Sequence, residues 1–299
     1  MAEASYILFE NRGVLEIAGE DRRSFLQGLI SNDTHKLAPN RALYAALLTA
    51  QGKYLHDFFL AELGDAFYLD GEAVRLADLQ RRLTLYKLRA KVTLGNASDR
   101  FAAGAVFGKD APAIFDLPSE RGSAAPFAGG IAYIDPRLAE LGVRLILPRA
   151  TGAASLAAAG PRPGDPAAYD LLRLSFGVPD GSLDLEIEKT ILLEAGFDEL
   201  NGVDWNKGCY VGQELTARTK YRGLIKKRLL PVTIDGPLPE PGTPIMFGGQ
   251  EAGEIRSGRD NLALALLRLE ALEQAAQSDT PLTAGTARVT AIKPTWAKF

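Results

Sequence analysis

The sequence predicts an α+β protein that ends in a small closed β domain. Three observations carry that expectation. Short apolar runs with strand character alternate with amphipathic stretches of helical period over most of the chain. Further strand-like runs cluster near the C-terminus around a Pro-rich break. At 299 residues the chain is also too long for one compact core, which points to two or three domains.

The elements follow in order. Over residues 21–30 (DRRSFLQGLI), Phe25, Leu26, Leu29 and Ile30 share one helical face, with Arg22 and Arg23 outside it. The next segment, SNDTHKLAPN, is rich in turn formers. Strands are expected over 43–49 and 55–60, joined by an Ala50-Gln51-Gly52-Lys53 turn, with a further short strand over 66–69. Leu76, Leu79, Leu83 and Tyr86 recur at three or four, predicting a helix over 72–88 with Asp70 as candidate N-cap. A strand restarts over 91–94, and 101–107, 131–134 and 143–147 supply a second sheet interrupted by a loop over 119–130. The Ala-, Gly- and Pro-rich stretch 148–166 reads as a crossing segment with at most one short helix. Asp165 and Pro166 then open a helix that runs to about Phe176. The break GPLPEPGTP over 236–244 lies among strands expected over 229–234, 253–256, 262–269 and 288–292, the pattern of a small closed β domain.

Composition excludes several functions. Hydrophobic residues make up 46% and charged residues 24%, an ordinary globular balance. No apolar run is long enough to cross a bilayer, and MAEASYILFENRG lacks the basic-then-apolar order of a signal peptide. The single cysteine, Cys209, rules out an intrachain disulfide framework. One cysteine and two histidines cannot build a Cys-rich zinc site or hold an iron–sulfur cluster within one chain, so no metal ligands are assigned. His35 and His56 read as ordinary surface or core histidines. A net charge of −3 argues against a nucleic-acid coat. These features together lead us to expect a cytoplasmic protein with neither nucleic-acid nor membrane partners.

One segment stands apart, EAGFDELNGVDWNKGCYVGQELTARTKYRGLIKKR over 194–228. Its centre sets Cys209 between Gly208 and the Tyr210-Val211-Gly212 turn, two residues after Lys207. Flanking glycines admit unusual backbone angles and close approach of a ligand. A nearby cation, or the free amides of a helix beginning over 214–219, favours thiolate over thiol. A lone cysteine is usually a small buried hydrophobe; here the glycines and Lys207 pull against burial. Between Lys207 and Arg228 the chain carries Lys207, Arg218, Lys220, Arg222, Lys226, Lys227 and Arg228 against Glu214, a local net of +6. A charge run is usually a solvated face, but its place beside the cysteine motif suggests an anionic ligand or partner. With only Tyr210 and Tyr221 as aromatics, a base-stacking platform is a weak reading.

KGCYVGQE followed by LTARTKYRG resembles the signature of the YgfZ family, folate-binding proteins that help to make or maintain four-iron, four-sulfur clusters. FLQGLISNDTHKL, YAALLTAQGKYLHDFFL, ILLEAGFDELNGV and the terminal Lys293-Pro294-Thr295-Trp296 follow the family's pattern in order. The family is similar in turn to the glycine cleavage T-protein, an aminomethyltransferase. The resemblance implies two interleaved α+β subdomains over 1–225 and a C-terminal β-barrel over 226–299, arranged around a central folate-sized opening. It implies tetrahydrofolate or a derivative as cofactor, and the iron–sulfur assembly machinery or its client enzymes as partners. Glu194 in LEAG inherits the pteridine-holding role, and Asp57 in LHDFF aligns with the T-protein's functional aspartate. Cys209 would touch an iron–sulfur species transiently and Lys207 would favour its thiolate, so these two carry the chemistry. Gly208, Gly212, Gln213, Glu214 and Arg218 complete the expected cofactor-binding set. Two alternatives stay open: a folate-dependent aminomethyl transferase or demethylase, and an interaction protein whose folate site has become structural.

Overall fold

A computed structural model describes residues 4–223 and 225–299. The chain divides into two units. The first takes the chain up to Leu48, then Leu55–Pro166 and Leu200–Val211; the second takes Thr49–Tyr54, Ala167–Glu199 and Gly212–Phe299.

The first unit is built from β1 (Ser5–Leu8), β2 (Arg12–Ala18), α1 (Arg22–Gln27), β3 (Leu43–Leu48), β4 (Tyr54–Leu63), β5 (Ala66–Glu72), α2 (Leu76–Lys87), β6 (Thr93–Asn96), β7 (Phe101–Phe107), α3 (Ala111–Ile114), β8 (Ala124–Phe127), β9 (Gly130–Ile134), β10 (Val143–Pro148), α4 (Gly152–Ala159) and β11 (Arg162–Pro163). One sheet has the order β3-β4-β5-β2-β6, the other β11-β1-β7-β10-β9-β8. The apolar stripes of α1 (Phe25, Leu26) and α2 (Leu76, Leu79, Leu83) pack with Leu15, Ile17, Phe58, Leu60 and Phe67 of the five-stranded sheet. The six-stranded sheet buries Val106, Ile134, Val143 and Leu145 with Ala111 and Leu156.

Asp70 does not cap a helix. It lies on β5, which runs on to Glu72, so α2 starts only at Leu76. Its buried carboxylate takes Arg12 Nε at 2.6 Å and Arg144 Nη2 at 2.5 Å, and so joins β2 and β5 to β10 of the other sheet. Burial alone would raise the Asp70 pKa, but the two guanidinium groups hold it below its usual range. The guanidinium of Arg144 also stacks on Phe59 at 3.9 Å, and Arg137 at 4.8 Å. Aspartate favours turns and caps, and the charged partners that hold Asp70 on a strand lie 58 and 74 residues away. The expected loop over 119–130 contains strand β8, and the first helix stops at Gln27, before Gly28.

The second unit contains α5 (Pro166–Ser175), α6 (Gln213–Tyr221), β12 (Lys227–Asp235), β13 (Pro244–Phe247), β14 (Gln250–Arg259), β15 (Leu262–Arg268), α7 (Leu269–Ala276), β16 (Leu282–Ala284) and β17 (Ala287–Ala291). The strands close a barrel in the order β12-β15-β14-β13-β16-β17 around Val232, Ile245, Ile255, Ala263, Ala265 and Leu267. Helix α7 was not foreseen from the sequence. Leu269, Leu272 and Ala275 recur at helical spacing, and Ala271, Leu272 and Ala275 pack, only partly buried, against the barrel core.

His56 is a core histidine, 3% exposed, with Nε2 2.9 Å from Asp78 Oδ2 on α2. Burial, helped by the nearby Arg75, lowers its pKa from 6.5 to about 4. The unfolded chain therefore binds a proton near pH 6 that the folded chain refuses. Stability from this group is complete above pH 6.5 and is lost as pH falls towards 4, by about 3 kcal/mol in all. We expect His56→Gln to flatten the fall in unfolding free energy between pH 6.5 and 4.5, measured by urea titration at each pH.

Candidate functional site

In the first unit, the segment Leu200–Val211 is tied to the turn after α1. That turn follows Gly28 and carries Ser31 and Asn32, both buried. Ser31 Oγ donates to Gly202 O at 2.6 Å and accepts the Ala46 amide at 2.8 Å. Asn32 Nδ2 donates to Tyr44 O at 2.7 Å and Asn201 O at 2.8 Å. The Asp204 amide reaches Ser31 O at 3.0 Å, and the Asp204 carboxylate pairs with Lys36. At the far end the Val211 amide donates to Gly28 O at 3.1 Å.

Lys207 sits at the centre of this seam. Its Nζ donates to Gln27 O at 2.8 Å, Ile30 O at 2.5 Å and Asn32 O at 2.9 Å. The three ammonium protons thus meet three carbonyls left over at the end of α1 and in its turn. The ammonium also lies 4.9 Å from the Tyr210 ring centroid. Burial lowers its pKa from 10.5 to about 8, so it remains charged at neutral pH. The three donors of Lys207 thus hold the loop that carries Cys209. Cys209, two residues on, is exposed. Gly208 has open space where a Cβ would stand, which leaves the approach to Cys209 clear.

Asp57 lies on β4, 3% exposed, and its Oδ2 accepts the Tyr44 hydroxyl at 2.8 Å. Burial and this carboxylate raise the Tyr44 pKa well above its usual value, so the phenol stays protonated as donor.

The second unit holds the remaining candidates. Gly212 precedes α6 with φ +82°, which glycine adopts without strain. Gln213, Glu214 and Arg218 share one face of α6 with Tyr221 and Arg222. There Arg218 Nη2 donates to Glu214 Oε1 at 2.5 Å, an exposed i,i+4 pair worth a few tenths of a kcal/mol. Glu194 belongs to a 3₁₀ turn, Leu192–Ala195. It is half-buried and has no ion pair among the described residues. Burial raises its pKa against the pull of Lys53, Lys227 and Arg228. The next residue but one, Gly196, has φ +71°, and a Cβ there would stand 2.7 Å from the Trp296 ring. Trp296 Nε1 donates to Phe176 O at 2.7 Å. LEAG and the terminal KPTW are therefore two sides of one contact.

The basic run disperses. Lys207 is spent on carbonyls, and Arg218 pairs with Glu214. Arg228 is buried against Glu199 Oε2 at 2.6 Å and Leu193 O at 3.0 Å. Lys220, Arg222 and Lys226 remain exposed. Sequence reasoning missed the anchoring roles of Ser31 and Asn32. The one available signal was a polar pair directly after an apolar helical stripe.

Family models match both parts of the chain: the GCVT N-terminal domain over residues 5–127, and the CAF17 C-terminal beta-barrel domain over residues 226–299. Among solved structures, the glycine cleavage system aminomethyltransferase T from Bartonella henselae superposes with TM-score 0.78, covering 99% of this chain and 87% of that one. At 17% identity this likeness concerns the fold alone. The molecule is a T-protein-like α+β protein with a six-stranded C-terminal barrel. Mitochondrial iron-sulfur cluster assembly factor IBA57 of Mus musculus is 35% identical over 314 residues, covering 96% of this chain and 84% of that protein. The Homo sapiens IBA57 is 36% identical over 283 residues, covering 88% and 77%. The chain belongs to the CAF17/IBA57 family, which narrows the broader resemblance to YgfZ proteins. The same relatives correct the expected cytoplasmic location, since they are mitochondrial proteins. A soluble composition with one cysteine suits any compartment where disulfides are not needed, so it could not decide between the two.

Two substitutions separate anchor from thiol. Lys207→Met leaves three carbonyls without their donor, and we expect a loss of roughly 2–4 kcal/mol with faster hydrogen exchange at Val211. Cys209→Ala touches an exposed side chain and should change stability by less than about 0.5 kcal/mol. Denaturant titrations of both variants check the contrast.

Proposed function

We propose that this protein supports assembly or repair of four-iron, four-sulfur clusters in client enzymes, with Cys209 as a transient thiol contact and tetrahydrofolate as its cofactor. The observation that carries the reading is an exposed single cysteine two residues from a half-buried lysine anchor. A thiol that is accessible yet held in place can meet an iron, a sulfur carrier or a partner thiol and release it again. With one cysteine per chain, lasting cluster ligation would need thiols from elsewhere. The names of the relatives, iron-sulfur cluster assembly factors, support the same class of work.

The residues of the second unit fit a folate. Glu194 is half-buried and has no ion pair among the described residues, so its carboxylate can accept paired N–H donors of a pteridine. Bound tetrahydrofolate would supply a one-carbon carrier. Exposed Lys220, Arg222 and Lys226 suit the carboxylates of a folate tail, each by less than about 1 kcal/mol. Gln213, Glu214 and Arg218 present polar groups on the same helix. The resemblance assigns Asp57 to a folate as well; its carboxylate is buried and accepts the Tyr44 hydroxyl. The T-protein-like fold favours a second reading, a folate-dependent one-carbon transferase, in which Cys209 would be dispensable.

Rescue of a deletion strain discriminates. Wild type should restore cluster-enzyme activity, and Cys209→Ala should fail at unchanged protein abundance. Full rescue by Cys209→Ala, with one-carbon turnover on tetrahydrofolate, would establish the transferase instead. By calorimetry, Glu194→Ala should weaken tetrahydrofolate binding by roughly 1.5–3 kcal/mol. Polyglutamylated folate should bind more tightly than the monoglutamate, and the difference should shrink as salt rises.

A further inference from the structure

The first unit carries an apolar groove that neither the thiol nor the folate reading uses. It lies between α1 and the C-terminal end of α2, has a volume of ≈ 470 Å³, and is lined by Phe25, Leu29, Tyr86, Leu88, Lys87 and Arg89 among others. Leu88 is 89% exposed, although burying a leucine is worth about 2 kcal/mol. Its backbone is at φ +43° and ψ −110°, a region costly for any residue with a Cβ. Leu85 and Tyr86 beside it are 67% and 45% exposed. An exposed leucine on a strained backbone, next to two more exposed apolar side chains, marks an interaction surface.

Charge says what sits there. Arg81 and Arg82 share the Asp78 carboxylate, and Lys91 pairs with Glu20. Lys87 and Arg89, on either side of Leu88, have no carboxylate partner among the described residues. The lining holds one acidic residue, Asp21, which accepts the Lys91 amide at 2.8 Å, against the two cations Lys87 and Arg89. The groove thus shows apolar anchoring surface between two uncompensated cations. It also borders the thiol loop. Leu29 lines it, and the adjoining Gly28 carbonyl receives the Val211 amide of the Cys209 segment.

We propose that this groove docks an acidic segment of a partner protein, which places an apolar side chain against Leu88 and its carboxylates on Lys87 and Arg89. The partner is thereby held beside the loop that presents Cys209. The docking requires neither folate nor thiol chemistry, so its failure and the failure of the proposed function are separable.

A photo-crosslinking residue at Leu88 in the full chain, expressed in place of the native copy, tests it. Val74, 90% exposed on the same unit, is the control position. We expect a protein adduct from position 88 and none from 74, with the crosslinked peptide rich in Asp and Glu around an apolar residue. Adding Lys87→Glu and Arg89→Glu should cut the yield about tenfold, with melting temperature and the alkylation rate of Cys209 unchanged. The docking proposal is overturned by any of four results: no protein adduct at 88; an adduct to a second copy, a lipid or a nucleic acid; a partner peptide without acidic residues; or a yield indifferent to the charge reversal.

Discussion

One ammonium group meeting three carbonyls fixes the position of the chain's only cysteine. The end of a helix leaves carbonyl oxygens without intrahelical donors. In this protein Gln27 O, Ile30 O and Asn32 O converge on Lys207, a residue 175 or more positions away. Ser31 and Asn32 add side-chain bonds to Gly202 and Asn201, and Val211 returns an amide to Gly28. A loop held in this way can leave Cys209 in solvent without losing its geometry.

The charged layer inside the same unit acts on another scale. Asp70 accepts from Arg12 and Arg144, and Phe59 lies beneath the guanidinium groups of Arg144 and Arg137. Removing one partner of such a buried set costs more than the set contributes, because a charge is left uncompensated. The layer ties β2 and β5 of one sheet to β10 of the other. In the second unit Trp296 plays a comparable part without charge. Its ring fills the place of a side chain at residue 196, and its indole N–H satisfies Phe176 O. Glu194 is positioned on the turn that Trp296 braces.

Much of this was legible in the residues. The apolar periodicity of α2, the strands β7 and β12, and the barrel-forming pattern near the C-terminus follow from spacing that any window of the chain displays. The extra length of β5 did not, since Asp70 mimics a turn or cap residue, and the short helix α7 is hard to separate from the strand it directly follows. The candidate site was legible as a list of residue types, with Cys209, Lys207 and Glu194 all in unusual company. What each does was not. Sequence spacing sets Lys207 two residues from the thiol, and only the fold reveals that its ammonium also bonds the Gln27, Ile30 and Asn32 carbonyls.

By itself the sequence determined the fold class, the single accessible thiol candidate and the family signature. Those depend on composition and on spacing within a dozen residues. Only the tertiary structure decided which of the seven cations near Cys209 are committed to internal partners, which aspartate is sealed inside, and where an exposed apolar groove lies. Many of those outcomes depend on distant pairings, such as Arg228 with Glu199, 29 positions apart, and Lys207 with Gln27, 180 apart. A hydrogen bond or ion pair forms wherever folding brings donor to acceptor, and local pattern carries no record of that meeting.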